Sequence, residues 1–304
     1  LTSYPKTKYP MRHTLLLSIL LALPPGAADA QPQLTAQQFG DYFDWFNEQS
    51  QVAQLYTDRS TLYVFTDDAA LHAGPCRDSK VMTELPIGLP VTNIVEDEFF
   101  MPEGEVNGYF DIWFYVTGVN SAGRSFRGYL WGGDVAKSWR SADLTGDRHE
   151  EFLMLGIPAQ ARTNPEEINA EVRILHNGRL WYQKLVPGLC VFEECATSSL
   201  LRVVEYPQWP DLQIIEASTL TLGCWAGVEK ALFYWNGSRL ERVFYAEFTT
   251  SREYENKPFL YETDGTAQLC RYSHEDEHYN PVWDCKAVKV APPAEPAAAV
   301  ALVK

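Results

Sequence analysis

His274-Glu275-Asp276-Glu277-His278 sets two imidazoles and a carboxylate at the H-E-x-x-H spacing. On a helix, histidines four residues apart share one face and can grip one zinc ion while the glutamate acts as base. The neighbouring residues argue against such a helix. Gln-Leu-Cys-Arg-Tyr at 268–272 reads as a strand, Pro281 follows three residues after His278, and Asp276-Glu277 leaves no apolar face to bury. The segment is therefore predicted to be a polar hairpin tip, with a zinc peptidase built on His274, Glu275 and His278 as the alternative. Gly223-Cys224-Trp225 offers a thiol, but no well-placed histidine follows it, and Cys224 reads better as half of a disulfide. Asn236-Gly237-Ser238 has the letters of a glycosylation sequon and also those of a hairpin turn. No phosphate-binding loop and no Ser/His/Asp order stands out.

Whatever these residues do, other elements must hold them. The 304 residues carry a formal charge of −15, with 46% hydrophobic and 13% aromatic residues. That composition supports a packed globule. The charge sets the chain against nucleic acid, whose phosphates would be repelled. The opening thirty residues differ from the rest. Met11-Arg12-His13 is a short basic start, Leu15 to Leu23 is an apolar run, Pro24-Pro25-Gly26 breaks it, and Ala28-Asp29-Ala30 has the small-x-small pattern of a signal-peptidase site. The run is too short to span a bilayer, which takes about 20 residues. Residues 1–30 are thus expected to be a signal peptide with an upstream extension, cleaved after Ala30, and the product to be periplasmic or secreted with no membrane span. Lys6, Lys8 and Arg12 against Asp29 make residues 1–30 net +2, leaving −17 for 31–304. Six cysteines in an oxidising compartment are expected to form disulfides.

Residues 31–58 form a helical segment. Over 34–56, Phe39, Phe43 and Phe46 with Tyr42 and Trp45 line one face at helical spacing, and Thr35 with Gln38 has the form of a capping box. A face this aromatic must bury. From about 60 to 290, short β-branched and aromatic runs alternate with Gly, Pro, Asn and Asp turns, as in 61–65, 89–95 and 113–117. Residues 291–304 are a Pro/Ala-rich tail.

Four segments of the 59–138 region occur in a telling order: Ala69 to Pro75 (A-A-L-H-A-G-P), I-G-L-P-V-T-N-I at 87–94, Trp113-Phe114-Tyr115-Val116, and G-Y-L-W at 128–131 with Asp134-Val135-Ala136. The region resembles the bacterial SH3-like (SH3b) domain, with His72 at the family's usual arginine place. The resemblance implies a small SH3-like β-barrel. The longer insertion at 96–111 is acidic and aromatic. By analogy with cell-wall-binding members, Phe99, Phe100, Tyr109 and Trp131 are expected to line a groove for a glycan or peptide. The competing expectation is that these aromatics pack the module onto its neighbour.

Residues 139–290 carry a diverged repeat. Glu151 to Leu155 is echoed by Asp211 to Ile215, and E-V-R-I-L-H-N-G-R-L at 171–180 by K-A-L-F-Y-W-N-G-S-R-L at 230–240. Asn-Gly between apolar runs signals a hairpin. Asp143-Leu144-Thr145-Gly146-Asp147-Arg148-His149-Glu150-Glu151 resembles the loop of FG-GAP/VCBS (integrin-like) propeller repeats. The resemblance implies calcium held by Asp143, Thr145, Asp147 and Glu151, all oxygen donors suited to a hard cation. Thr145 and Arg148 depart from the family pattern, and the alternative is a calcium-free turn whose aspartates cap backbone amides. A partial, propeller-like antiparallel β domain is expected, because roughly 150 residues are too few for a full propeller at about 40–45 residues per blade.

Six cysteines allow 15 pairings. The simplest solution pairs Cys190–Cys195 across a tight turn, Cys270–Cys285 across the acidic hairpin, and Cys76–Cys224 as a staple between the two β modules. The fold class expected is mainly β: a helix, an SH3-like barrel and a repeat-built antiparallel domain. The function expected is non-catalytic binding or scaffolding at the bacterial cell envelope, with a cell-wall polymer or another envelope protein as partner and calcium as the one cofactor in view. An envelope hydrolase and a secreted inhibitor or adhesin are the alternatives.

Overall fold

The computed structural model describes residues 33–34, 36–95, 101–120, 122–164, 167–193, 196, 198–205, 213–221, 227–249, 259–263, 266–279 and 281–287. The expected signal peptide, the Pro/Ala tail, Phe99, Phe100, Cys195 and Cys224 all lie outside them. Among the described residues no helix is long and apolar enough to cross a membrane. Residues 32–304 form one compact unit.

The chain is mainly β and its sheets are antiparallel. A two-residue strand, β1 (Gln33–Leu34), precedes the helices α1 (Ala36–Gln49) and α2 (Val52–Tyr56). The helical segment expected over 34–56 is thus interrupted at both ends of α1. Leu34 is extended, paired with Trp283, and Ser50-Gln51 separates the helices. At that break the Gln51 carboxamide oxygen accepts from the buried Ser138 hydroxyl at 2.5 Å, tying the chain down where helix stops.

The next strands are β2 (Thr61–Tyr63), β3 (Ala69–His72), β4 (Val81–Leu85), β5 (Pro90–Asn93), β6 (Glu103–Val106), β7 (Tyr109–Val119) and β8 (Ser125–Trp131), followed by a 3₁₀ turn at Gly132–Asp134. They form one sheet in the order β2-β5-β7-β8-β3-β4, with β6 on the early part of β7. The path is open, and no sheet closes into a barrel among the described residues. After the 3₁₀ turn the chain returns to the start of the module, where Val135 bridges Val64. Leu62, Val64, Leu71, Leu85, Val91, Phe114, Val116 and Leu130 fill the interior.

Three four-stranded sheets follow. The first holds β9 (Ser138–Ala142), β10 (Glu151–Gly156), β11 (Asn169–His176) and β12 (Arg179–Pro187). The second holds β13 (Ser198–Glu205), β14 (Gln213–Thr221), β15 (Gly227–Trp235) and β16 (Leu240–Thr249). In the third, β17 (Phe259–Thr263), β18 (Thr266–Glu275) and β19 (Pro281–Ala287) are completed by β1 from the N-terminal end. The echoed sequence segments occupy matching places, on the second and third strands of the first two sheets. Asn177 and Gly178, at φ 52° and 73°, form a two-residue turn between β11 and β12. Both positions need positive φ, which is why Asn-Gly serves there. The second Asn-Gly makes a four-residue loop, in which the Asn236 side-chain oxygen accepts the Ser238 and Arg239 amides.

The 59–138 and 139–290 regions share an interior. Phe65, Ile87 and Ala136 pack with Met154 and Leu175, while Tyr109, Trp113 and Trp131 join Leu153, Val172, Ile174, Ile215 and Phe233. Arg173 of β11 crosses the boundary. Its Nη1 donates to the Phe65 carbonyl at 2.9 Å, its plane lies 4.5 Å from the Phe65 ring centroid, and its Nη2 meets Glu171 at 3.1 Å. Gly156 lets that ring approach, since a Cβ there would lie 2.7 Å from it.

The described residues of the aromatic stripe, Trp45 and Phe46, pack inward as expected. Phe46 is fully buried against Leu200, Leu220 and Val228 of the second sheet. Beneath it, Glu216 is enclosed, with Lys230 Nζ at 3.1 Å and Arg202 Nε at 2.7 Å. Burial opposes its ionisation, but the two cations outweigh burial and hold the carboxyl below its ordinary value. Trp45 stacks on the Arg202 guanidinium, 4.8 Å from ring centroid to Cζ.

Cys270 and Cys285 face each other across β18 and β19 and are disulfide-bonded, as the spacing predicted. Their 15-residue separation is worth about 3 kcal/mol in the chain-entropy view. Cys190 is also disulfide-bonded, and Cys195, its expected partner, lies outside the described residues. Cys76 is an exposed free thiol, so the expected Cys76–Cys224 staple is not made. It sits on the surface turn after β3, whereas the two regions are joined through their interior. A core shared in this way should unfold as a unit. Phe65→Ala is expected to lower stability by about 3–5 kcal/mol while calorimetry still records one cooperative transition. Two resolved transitions in the wild type would contradict the shared core.

Candidate functional site

The long strand β7 does two jobs. Its first half pairs with β6, its second half with β5 and β8. Period-2 alternation puts Trp113 and Tyr115 on one face. Tyr129 of β8 lies directly opposite Tyr115, with ring centroids 4.9 Å apart. Pro75 from the turn after β3, Asn93 of β5, and Met101 and Pro102 before β6 complete a cleft of about 330 Å³. The Trp113 amide donates to the Pro102 carbonyl at 2.7 Å, which draws the 101–102 wall against the strand. Asn93 is not a free polar group, because its side-chain nitrogen donates to Leu55 and Thr57 carbonyls at 2.9 and 3.3 Å. None of the lining side chains carries a charge at neutral pH.

The cleft is supported from below. His72 is buried, with its ring edge-on to Trp113 at 5.2 Å and Nδ1 3.1 Å from the Ser79 carbonyl. Asp134, at the end of the 3₁₀ turn, accepts from the Thr66 hydroxyl. Burial pushes its carboxyl up to about 6, against the opposing pull of the Thr66 hydrogen bond and of His72 and Arg173. Asp111 is fully buried and paired with Lys137 Nζ at 2.9 Å. These acids are structural supports of the module and do not line the cleft.

The residues expected to form the groove lie elsewhere. Tyr109 is 2% exposed and Trp131 5%. Tyr109 meets Phe192 edge-on at 5.3 Å, and Trp131 Nε1 donates to the Gly104 carbonyl at 3.2 Å. Both belong to the shared core, so their assignment to a ligand groove is corrected. The accessible aromatic surface falls to the half-buried Tyr115 and Tyr129, which belong to the segments that suggested the module. Strand alternation carried no signal for them, since it sets Tyr115 on the same face as Trp113, which is buried in the shared core.

In the acidic loop, Asp143 Oδ1 accepts the Gly146 amide at 2.7 Å, Asp143 Oδ2 accepts the Arg148 amide at 2.8 Å, and Asp147 accepts the His149 amide at 2.8 Å. Thr145 Oγ1 is 3.5 Å from Asp143. Glu151 points away from the surface. It is fully buried, accepting the Leu144 amide at 2.8 Å and lying 2.9 Å from His176 Nδ1. Its place in the expected calcium set is therefore taken by internal partners. Among the described residues no group of three or more His, Cys, Asp or Glu side chains is placed to hold a metal ion. Gly146 and Arg148 both have positive φ, 76° and 70°. Arg148 thus adopts the left-handed backbone for which the resembling family uses glycine.

His274 and Glu275 end strand β18, and Asp276 to Tyr279 form the turn into β19. The Asp276 carboxylate accepts the His278 amide at 2.8 Å. The segment is a hairpin tip, and the two imidazoles do not share a helical face.

Compared with protein-family models, with curated proteins and with solved structures, the chain matches none.

The Asp134 environment has a pH consequence. Its folded pKa lies above the ordinary value of 3.8, so between about pH 4 and pH 6 the folded protein keeps a proton that the unfolded chain has lost. Stability should fall as pH rises through that window. Urea titrations of wild type and Asp134→Asn, taken as a difference, are expected to show the wild type losing about 2–3 kcal/mol relative to the variant from pH 4 to pH 7. A flat difference would contradict the assignment.

Proposed function

We propose that this chain is an exported, non-catalytic binding protein of the bacterial cell envelope, in which an SH3b-like module presents an aromatic cleft to a cell-wall glycan or peptide. The carrying observation is the cleft itself: the half-buried rings of Tyr115 and Tyr129, walls of Pro75, Met101 and Pro102, and no lining side chain that is charged at neutral pH. Such a surface suits a neutral ligand bound by stacking and hydrogen bonds. The strand path, the 3₁₀ turn and the return of Val135 to Val64 support the SH3-like reading. The matched hairpins of β9–β12 and β13–β16 support a diverged, partial propeller-like assembly behind it. The apolar run and Ala-x-Ala site of residues 15–30 support export.

The test is co-sedimentation with purified peptidoglycan sacculi. Wild-type protein is expected in the pellet, and Tyr129→Ala, at a half-buried cleft position, is expected to shift about ten-fold more of it to the supernatant. Wild type that stays soluble with sacculi while capturing a soluble protein would favour the inhibitor or adhesin alternative.

The 143–149 loop supports the calcium-free alternative, because Asp143 and Asp147 spend their carboxylates on backbone amides and Glu151 is taken by His176. Thermal melts with millimolar calcium or with chelator test it. The same Tm in both is expected, and a calcium-dependent rise that Asp143→Ala removes would restore the calcium set of Asp143, Thr145 and Asp147.

A further inference from the structure

Three of the exposed large apolar side chains, Leu180, Trp181 and Leu185, lie on the single strand β12 at the edge of the first four-stranded sheet. Trp181 owes its position to a register shift. Ile174 pairs with Tyr182 and Leu175 with Leu180, so Trp181 is an extra residue without a cross-strand partner. Bulges of this kind re-aim a side chain. Trp181 is turned outward, 42% exposed, yet it is not loose. Its ring lies 4.8 Å from Trp235, at the end of β15 in the second sheet, and 5.5 Å from His176. Tyr182 braces Trp235 edge-on at 5.4 Å. His176 is itself held through Nδ1, 2.9 Å from the buried Glu151. The two Asn-Gly hairpins thus bring together an aromatic pair whose outer face is fixed before any ligand arrives.

The rim is polar. Arg239 donates to Glu241 from Nε at 3.0 Å and Nη2 at 2.8 Å, Asn236 donates to the same carboxylate at 2.7 Å, and Tyr234 OH does so at 2.9 Å. Arg239 remains 67% exposed at its side chain and lies within electrostatic reach of Tyr182. Its remaining N–H groups can serve hydroxyls in the plane beside the rings. The ion pair cancels its own charge, and a chain at −15 disfavours an anionic ligand.

We propose that Trp181, braced by Trp235 at a 54° tilt, is a saccharide-binding platform, its exposed ring stacking the apolar face of a neutral pyranose while the Asn236–Arg239–Glu241 rim hydrogen-bonds its hydroxyls. The site is separate from the aromatic cleft and does not rest on it. A protein partner adding a strand to β12 is disfavoured by the same bulge, which breaks the regular ladder, and by Lys184 and the terminal Pro187, residues that blunt sheet edges. A fixed aromatic ring loses little freedom on binding, which is what favours weakly held sugars.

The experiment screens fluorescently labelled full chain on an array of neutral hexose and N-acetylhexosamine oligosaccharides, then titrates the best-retained one. Wild type is expected to bind. Trp181→Ala should weaken binding about ten-fold, Trp181→Phe should keep most of it, and Met82→Ala, an exposed apolar residue on β4, should change nothing. Titration of a neutral hexose oligosaccharide against Trp181→Ala reads the platform and sacculus co-sedimentation of Tyr129→Ala reads the cleft, so that failure of the one and failure of the other are distinguishable. Retention of no neutral oligosaccharide, or equal binding by Trp181→Ala, would overturn the proposal. So would a concentration-dependent dimer that Trp181→Ala abolishes, which would make β12 a self-association edge.

Discussion

Arg173 is the residue on which the arrangement turns. It stands on β11, in the first four-stranded sheet, yet its guanidinium is spent on Phe65 in the preceding module, on the carbonyl by hydrogen bond and on the ring by stacking. A cation enclosed this fully is tolerated only when it is paired, and Glu171 supplies the charge. The backbone carbonyl of Phe65 would be costly to bury unmet. The interaction is therefore reciprocal: each region satisfies a buried polar group of the other. Gly156 and Leu175 close the apolar part of the same contact. The union expected from a disulfide is made instead by packing, and Cys76 is left on the surface.

The interior acids follow one pattern. Asp111 is given to Lys137, Glu151 to His176 and the Leu144 amide, Glu216 to Lys230 and Arg202, and Asp134 to Thr66. Each of these carboxylates is engaged by a structural partner. The surfaces proposed for recognition are aromatic and uncharged: the cleft at Tyr115 and Tyr129, and the Trp181–Trp235 pair. Both arise where a strand departs from simple pairing. β7 divides its length between two partners, and β12 carries an unpaired residue. Regular strand would have turned these rings inward or spread them along a face.

Much of the architecture was legible in the amino-acid order alone. Turn dipeptides and alternating apolar runs marked the strands of 60–290, and the aromatic stripe marked a helix that had to be covered. The spacing of Cys270 and Cys285 around a polar tip marked their bridge, and Pro281 with Asp276-Glu277 marked that tip as a hairpin. These signals are local: backbone preference and side-chain period act within a few residues, so they survive without knowledge of the fold. The open strand path of the 59–138 region carried no such signal, because closure depends on how strands far apart in sequence twist and pair.

The functional surfaces were the part that local pattern misassigned. An aromatic residue has the same letter in a core and in a groove. Tyr109 and Trp131 were as plausible a lining as Tyr115 and Tyr129, and only the docking of the first four-stranded sheet onto β7 and β8 buried the former pair and left the latter open. Glu151 had the position of a calcium ligand, but β10 carries it inward, where His176 on the neighbouring strand claims it. Trp181 and Trp235 lie 54 residues apart in the chain and meet only because two hairpins from separate sheets converge. By itself the sequence determined the strands, turns, covered helix and local disulfide, because short-range sterics and hydrophobic period dictate them. Which rings face solvent was decided by tertiary structure, because exposure depends on the long-range packing of whole sheets.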